Sequence, residues 1–143
     1  MDHIVYIDTL SKELESLLDK SKDIIIRGAT GRKLPYNRVF VGDTLYFTRN
    51  NAEGFVSCKA TVSNSIFTDK MTTEESTALY DLYSDRIKLN IKASKRFRGK
   101  RYLSIIEIKN TRSITAFKFD RSDYGNMDDW LAVGDINSVK KDD

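Results

Sequence analysis

The densest group of residues that could bind a ligand in this 143-residue sequence is a basic cluster near position 100. Its cations are interleaved with two aromatic residues, Phe97 and Tyr102. The candidate phosphate-binding residues are Lys95, Arg96, Arg98, Lys100 and Arg101. Recognition of single-stranded or loop RNA requires cations that bind the phosphates and, beside them, aromatic rings on which the bases stack. The alternative is that both rings anchor the core and their basic neighbours are merely solvated.

A second basic group surrounds the glycine-punctuated turn at residues 28–31. Arg27 precedes this turn, and the candidate binding residues that follow it are Arg32, Lys33, Tyr36 and Arg38. Trp130, the only tryptophan, is predicted to lie in a loop, either lining the same pocket or covering one end of the sheet. The turn lacks the six-residue loop ending in Gly-Lys-Ser/Thr that cradles a nucleoside triphosphate, so a phosphate loop of that type is excluded.

The charge of the chain is unevenly distributed, although the net charge is only +3 and the pI about 8.9. Residues 86–118 carry 11 basic residues against one acid, Glu107, whereas residues 119–143 carry 7 acids against 3 bases. A basic face of this kind favours a polyanionic partner. The alternative is a solvated face whose charge is balanced by the acidic tail folding back.

Residues for catalysis or metal binding are scarce. One histidine and one cysteine exclude a zinc site of the usual Cys/His type, and no cofactor is predicted. His3 is predicted to be a loose terminal residue, and Cys58 a small core residue on an inward-facing strand phase. The single cysteine suits a reducing, cytoplasmic location.

Length and composition favour one globular domain spanning residues 1–143. The sequence is 40% hydrophobic and 31% charged, which is too apolar for a disordered chain. No apolar run reaches the roughly 18 residues of a membrane span, and the first residues do not resemble a signal peptide. We therefore expect no membrane association.

The predicted elements follow the order β-α-β-β-β-α-β-β. Strands are predicted at residues 4–7, 24–26, 44–48, 55–67, 102–108 and 113–119 from β-branched runs and alternation. The first helix carries Leu10, Leu14, Leu17 and Leu18 with a cap at Asp8 or Thr9, and a capping box at residues 72–75 opens the second. A turn-rich segment begins at about residue 120. The pattern predicts a β-rich α+β fold, a small mixed or antiparallel barrel with helices at its ends.

Residues 22–27, Lys-Asp-Ile-Ile-Ile-Arg, follow the leucine-faced helix and precede a Gly-Asp turn and strand at residues 42–47. This arrangement resembles the ASCH family of the PUA-like superfamily over roughly residues 4–62. In that family a helix runs into a Lys-Thr-x-Glu-x-Arg strand. The resemblance implies a small β-barrel with a cleft beside the first helix that binds RNA or modified nucleobases. A few members resemble amidohydrolases of acylated cytidine, in which a lysine, a threonine and a glutamate carry the chemistry.

The family motif is only partly present here. Lys22 stands at the lysine and Arg27 at the arginine, but Asp23 replaces the threonine and Ile25 the glutamate. The hydrolase hypothesis therefore lacks the threonine on which it depends. Glu107 is the candidate for a carboxylate that replaces the motif glutamate. Lys22 and Asp23 are either an acid–base pair, if both point inward, or a surface charge pair.

The function that these features favour is a module that binds RNA or a modified nucleobase. The basic cluster would hold phosphates, and a base would enter the cleft beside the first helix. Two alternatives stay open: a small hydrolase acting on a modified nucleoside or nucleic acid, and a protein-interaction domain with an acidic partner.

Overall fold

The computed structural model describes residues 1–141 and contains a six-stranded mixed sheet curved into a half-barrel. The strands are β1 (Asp2–Ile7), β2 (Ile24–Ala29), β3 (Thr44–Arg49), β4 (Phe55–Phe67), β5 (Tyr102–Lys118) and β6 (Trp130–Gly134). Their order is β2-β5-β4-β3-β1-β6. The β1–β3 pair is parallel and the other neighbouring pairs are antiparallel. The predicted β-rich α+β class with a mixed sheet is confirmed.

The strands follow their side-chain pattern closely where one face is buried. In β4 the buried residues Val56, Cys58, Ala60 and Val62 alternate with more exposed ones, as a half-buried strand requires. The two strands predicted at 102–108 and 113–119 are instead one 17-residue strand, β5. Register shifts against β4 interrupt that pairing, and Asn110 adopts a positive φ of 55° there, which explains the gap in the pattern.

The described residues form three α-helices. Helix α1 (Glu13–Leu18) lies between β1 and β2 in the chain, and α2 (Thr73–Ile87) and α3 (Ile91–Ser94) lie between β4 and β5. The predicted capping box of α2 is confirmed: Thr72 Oγ1 accepts from the Glu75 N–H, and the Glu75 carboxylate accepts from the Thr72 N–H. The predicted cap of α1 is wrong. Lys12 stands at that position in a left-handed conformation, and Leu10 is 74% exposed outside the helix.

The buried residues of the sheet form a core in which Cys58 is fully buried. Burial raises the pKa of its thiol to about 11, so Cys58 is an unreactive core residue, as predicted. No helix within residues 1–141 has the length and apolarity needed to cross a membrane. Over the same residues, no group of three or more Cys, His, Asp or Glu side chains is placed to hold a metal ion.

His3 is a core residue, so its prediction as a loose terminal residue is wrong. It lies within β1, between β3 and β6, and its side chain is 0% exposed. Its Nε2 is 2.9 Å from Asp43 Oδ2, and its Nδ1 is 3.1 Å from Trp130 Nε1. Proximity to the chain terminus misled the prediction because β1 is an inner strand of the sheet.

Candidate nucleic acid interface

A cleft beside β2 contains two adjoining cavities that share Arg27, Phe97 and Asp129 in their walls. The first has a volume of about 130 Å³ and the second about 60 Å³. The first is lined mainly by the predicted turn and the start of β5, including Gly28, Lys33, Tyr36, Tyr102 and Ser104. The second is lined by residues at the start of α1, after β3 and on both sides of α3, including Asp8, Glu13, Asn50, Leu89 and Arg96. Besides Arg27, each candidate group of the sequence therefore contributes one cation to these walls, Lys33 to the first cavity and Arg96 to the second.

Arg27 is the fixed cation at the junction of the two cavities. It is 9% exposed, and its guanidinium donates to the backbone carbonyls of Ile26 and Tyr6. Its Cζ lies 5.6 Å from the centre of the Phe97 ring and 5.7 Å from that of Trp130. These contacts hold the charge in one place in a region with little water, where a cation interacts strongly with an incoming acceptor.

The Nε atom of Arg27 is buried and makes no hydrogen bond within residues 1–141. Asp129 Oδ2 lies 3.3 Å away as an ion-pair partner, and the Asp129 side chain is 52% exposed. A single half-exposed carboxylate thus offsets the buried charge. Arg27 and Asp129 are about a hundred positions apart, so sequence spacing gave no signal for this contact.

Tyrosine rings form one wall of the larger cavity. Tyr36 and Tyr102 meet edge to face with ring centres 5.6 Å apart, and the Tyr36 hydroxyl donates to the Thr68 carbonyl. The Arg32 guanidinium lies 5.8 Å from the first ring centre and 5.7 Å from the second. Aromatic rings and guanidinium groups both have flat faces on which a base can stack.

Among the described residues, some of the predicted phosphate-binding and cleft cations form ion pairs with carboxylates and others do not. Arg98 forms two hydrogen bonds with the Asp81 carboxylate, and Arg96 lies 3.7 Å from Asp8. Within residues 1–141 the following predicted residues form no ion pair: Arg32, Lys33, Arg38, Lys95, Lys100 and Arg101. Of these, Lys33 lines the cavity, whereas Arg38 is exposed outside it.

The acidic tail does not neutralise the basic stretch over the described part of the chain. No acid between residues 119 and 141 forms an ion pair with a cation of residues 86–118. Asp142 and Asp143 lie outside the described residues. Within residues 1–141, the cations of residues 86–118 that form ion pairs therefore have their acidic partners before residue 119.

Gly28 allows the basic segment to lie directly against β2. A Cβ at this position would be 2.9 Å from Leu103 Cδ2, 3.2 Å from Lys100 Cβ and 3.2 Å from the Phe97 carbonyl oxygen. Since the last contact is with backbone, the segment that carries Phe97 and Lys100 would have to move. Gly28 thus permits this close approach in the wall of the larger cavity.

Replacing Gly28 with alanine is expected to lower the free energy of unfolding by roughly 1–3 kcal/mol, the usual cost of overpacking. Urea unfolding followed by circular dichroism measures this change. Gly31→Ala is the matched control, because no atom lies within 4 Å of a Cβ at that position and its effect should be small. Equal losses in the two variants would show that the close approach at Gly28 has no energetic weight.

The candidate catalytic residues are not brought together. Lys22 is 1% exposed and pairs with Glu13, their Nζ and Oε2 atoms 3.4 Å apart, while its ammonium also donates to the Ile87 carbonyl. Burial lowers the pKa of Lys22. Asp23 and Glu107 each bind Arg86 at 2.8 Å, and neither lines the cavities. The acid–base pair predicted for Lys22 and Asp23 is therefore not formed, and Lys22 is not a surface residue.

Trp130 is also placed differently from its prediction. It begins β6 rather than lying in a loop, and it is 1% exposed within the core. It therefore presents no free face on which a base could stack. Its contribution to the cleft is indirect, through the contact of its ring with Arg27.

No protein-family model matches this sequence, and no curated protein matches it. Solved structures do match. An ASCH protein from Zymomonas mobilis is 11% identical, with a TM-score of 0.66 over 91% of this chain and 85% of that one. A substituted form of the same protein gives 11% identity and a TM-score of 0.65 over 91% and 88%. The resemblance to the ASCH family is thus confirmed at the level of structure: this chain has the ASCH fold.

Proposed function

We propose that this chain binds single-stranded RNA, with one nucleobase, plain or modified, in the cleft at Arg27 and the neighbouring phosphates on the basic rim. The observation that carries the proposal is the buried Arg27 guanidinium at the junction of two cavities whose walls include Phe97, Tyr36 and Tyr102. The ASCH fold supports the same function, because the family resemblance implies binding of RNA or a modified base.

The dimensions of the cleft favour a base over a larger ligand. A cavity of about 130 Å³ is well below the roughly 300–1,000 Å³ of sites that enclose drug-sized molecules. A single planar ring fits this space, while the rest of a nucleotide chain stays outside it. Lys100 and Arg101 lie where the basic segment enters β5, next to the cavity residue Tyr102. We therefore expect them to bind the phosphates that flank a bound base.

The salt dependence of RNA binding tests this proposal. Fluorescence anisotropy with a decauridylate that has hydroxyl termini should show an affinity that falls steeply with salt, with a log–log slope of about −0.7 per neutralised phosphate. Lys100→Ala combined with Arg101→Ala should make this slope shallower by about 0.7 for each lost contact. Arg98→Ala is the matched control, since Asp81 already neutralises Arg98. A flat salt response of the unaltered protein would contradict the proposal.

The hydrolase alternative has less support, because none of Lys22, Asp23 and Glu107 lines either cavity. Incubation with acylated cytidine and chromatography of the products distinguishes the two functions, and turnover that Lys22→Ala abolishes would favour the enzyme. The third alternative, an acidic protein partner, predicts co-purification that ribonuclease does not disrupt. The cytoplasmic location stays a prediction from sequence.

A further inference from the structure

We propose that His3, a buried residue outside the cleft, positions the Arg27 site through Trp130, and that a second proton on its ring weakens base binding. The inference rests on the proposed RNA-binding function. It concerns a positioning residue, because His3 lines neither cavity. The evidence is a chain of buried contacts that runs from Asp43 through His3 and Trp130 to Arg27.

The hydrogen bonds between Asp43, His3 and Trp130 determine which nitrogen of His3 carries the proton. An indole N–H can only donate, so His3 Nδ1 must accept the hydrogen bond from Trp130 Nε1 and carries no proton. Nε2 then carries the proton and donates to Asp43 Oδ2 at 2.9 Å. The neutral ring with its proton on Nε2 satisfies all three groups, whereas a doubly protonated ring would face the indole N–H with a second donor.

The position of Trp130 bears on the cleft in two ways. Its ring centre lies 5.7 Å from the Arg27 guanidinium. The preceding residue, Asp129, is the ion-pair partner of Arg27, and its carbonyl accepts from the Tyr6 N–H at 3.0 Å. A shift of the indole away from His3 therefore disturbs both a ring face and a carboxylate that hold Arg27.

The charged groups that influence the titration of His3 are Asp2, Asp43 and the N-terminal ammonium. Asp2 lies on its own strand, the Met1 ammonium directly precedes that strand, and Asp43 lies in the turn before β3. The β6 neighbours, Trp130 and Ala132, do not ionise. Burial outweighs the carboxylates and lowers the pKa of His3 below its ordinary value of 6.5. The unfolded chain therefore takes up this proton first, so the stability that neutral His3 contributes is lost as the pH falls below 6.5.

His3→Gln separates the hydrogen bonds from the titration. The glutamine amide oxygen can accept from the indole and its amide nitrogen can donate to Asp43, but the side chain does not ionise in this pH range. We expect the affinity of the unaltered protein for hydroxyl-terminated decauridylate to fall about two- to tenfold as the pH is lowered from about 8 to values well below 6.5. A loss of this size is expected for one lost hydrogen bond. His3→Gln should lack this transition.

The intrinsic fluorescence of Trp130 gives a second measurement that needs no variant. It is the only tryptophan, so its emission should change over the same pH range as the affinity. Identical pH profiles for the unaltered protein and His3→Gln, or an emission change without an affinity change, would overturn the inference alone. Absence of binding at every pH would overturn the proposed function and the inference with it.

Discussion

Replacing Arg27 with methionine is expected to reduce the affinity for decauridylate roughly 30-fold or more. Methionine keeps the length of the side chain between Phe97 and Trp130 but removes the charge at the junction of the cavities. Removing a hydrogen-bonded charge from a buried contact costs roughly 2 kcal/mol or more, which corresponds to this factor. Fluorescence anisotropy measures the loss, and circular dichroism shows whether the variant is folded.

Arg38→Met is the matched control for the loss of one positive charge. Arg38 is exposed and lies outside the cavity lining, although the sequence predicted it as a binding residue. A solvated charge contributes at most about 1 kcal/mol, so this variant should bind no more than about fivefold more weakly. Equal losses for both arginines would mean that the protein responds only to total charge and that the cleft holds no ligand.

Replacing Glu13 with glutamine is expected to lower the free energy of unfolding by about 3–5 kcal/mol, a large part of the stability of a small domain. Glutamine can still accept the hydrogen bond that Glu13 Oε1 receives from the Asp8 N–H at 2.8 Å. The ammonium of Lys22, however, would be left buried without its carboxylate. Urea unfolding at neutral pH measures the change.

A second substitution and a pH series identify the cause. Adding Lys22→Met removes the stranded charge, so the double variant should regain most of the lost stability. The penalty of Glu13→Gln alone should shrink as the pH rises toward 10.5, because Lys22 then folds as a neutral amine at lower cost. A double variant as unstable as the single one would show that Glu13 acts through packing and not through charge.

The elements that the sequence predicts well are those with local signals. The capping box at Thr72 and Glu75 and the alternation within β4 depend on residues a few positions apart, and both are found in the structure. Strand β6 was missed because, within residues 1–141, it pairs only with β1, more than a hundred residues earlier in the chain. Its first residues, Trp130 and Leu131, follow a turn-rich segment that hides the short apolar run.

In the candidate site, too, the sequence predicted what local motifs show and missed what depends on the tertiary fold. Arg27 was identified from its place in the family motif, and the cleft does contain it. The partners of the charged residues could not be read from spacing, since Glu13 pairs with Lys22 and Asp129 with Arg27 only through the tertiary fold. His3 was misjudged for the same reason: its burial depends on strands β3 and β6 beside it.

The most direct test of base binding compares decauridylate with an abasic strand that carries the same phosphates, at one salt concentration. The two probes present the same charge to the basic rim, so a difference in affinity reports the base alone. Base stacking contributes about 1–3 kcal/mol per base, so decauridylate should bind roughly 5- to 140-fold more tightly, and Arg27→Met should narrow that ratio. Equal affinities of the unaltered protein for the two strands would contradict a base in the cleft at Arg27.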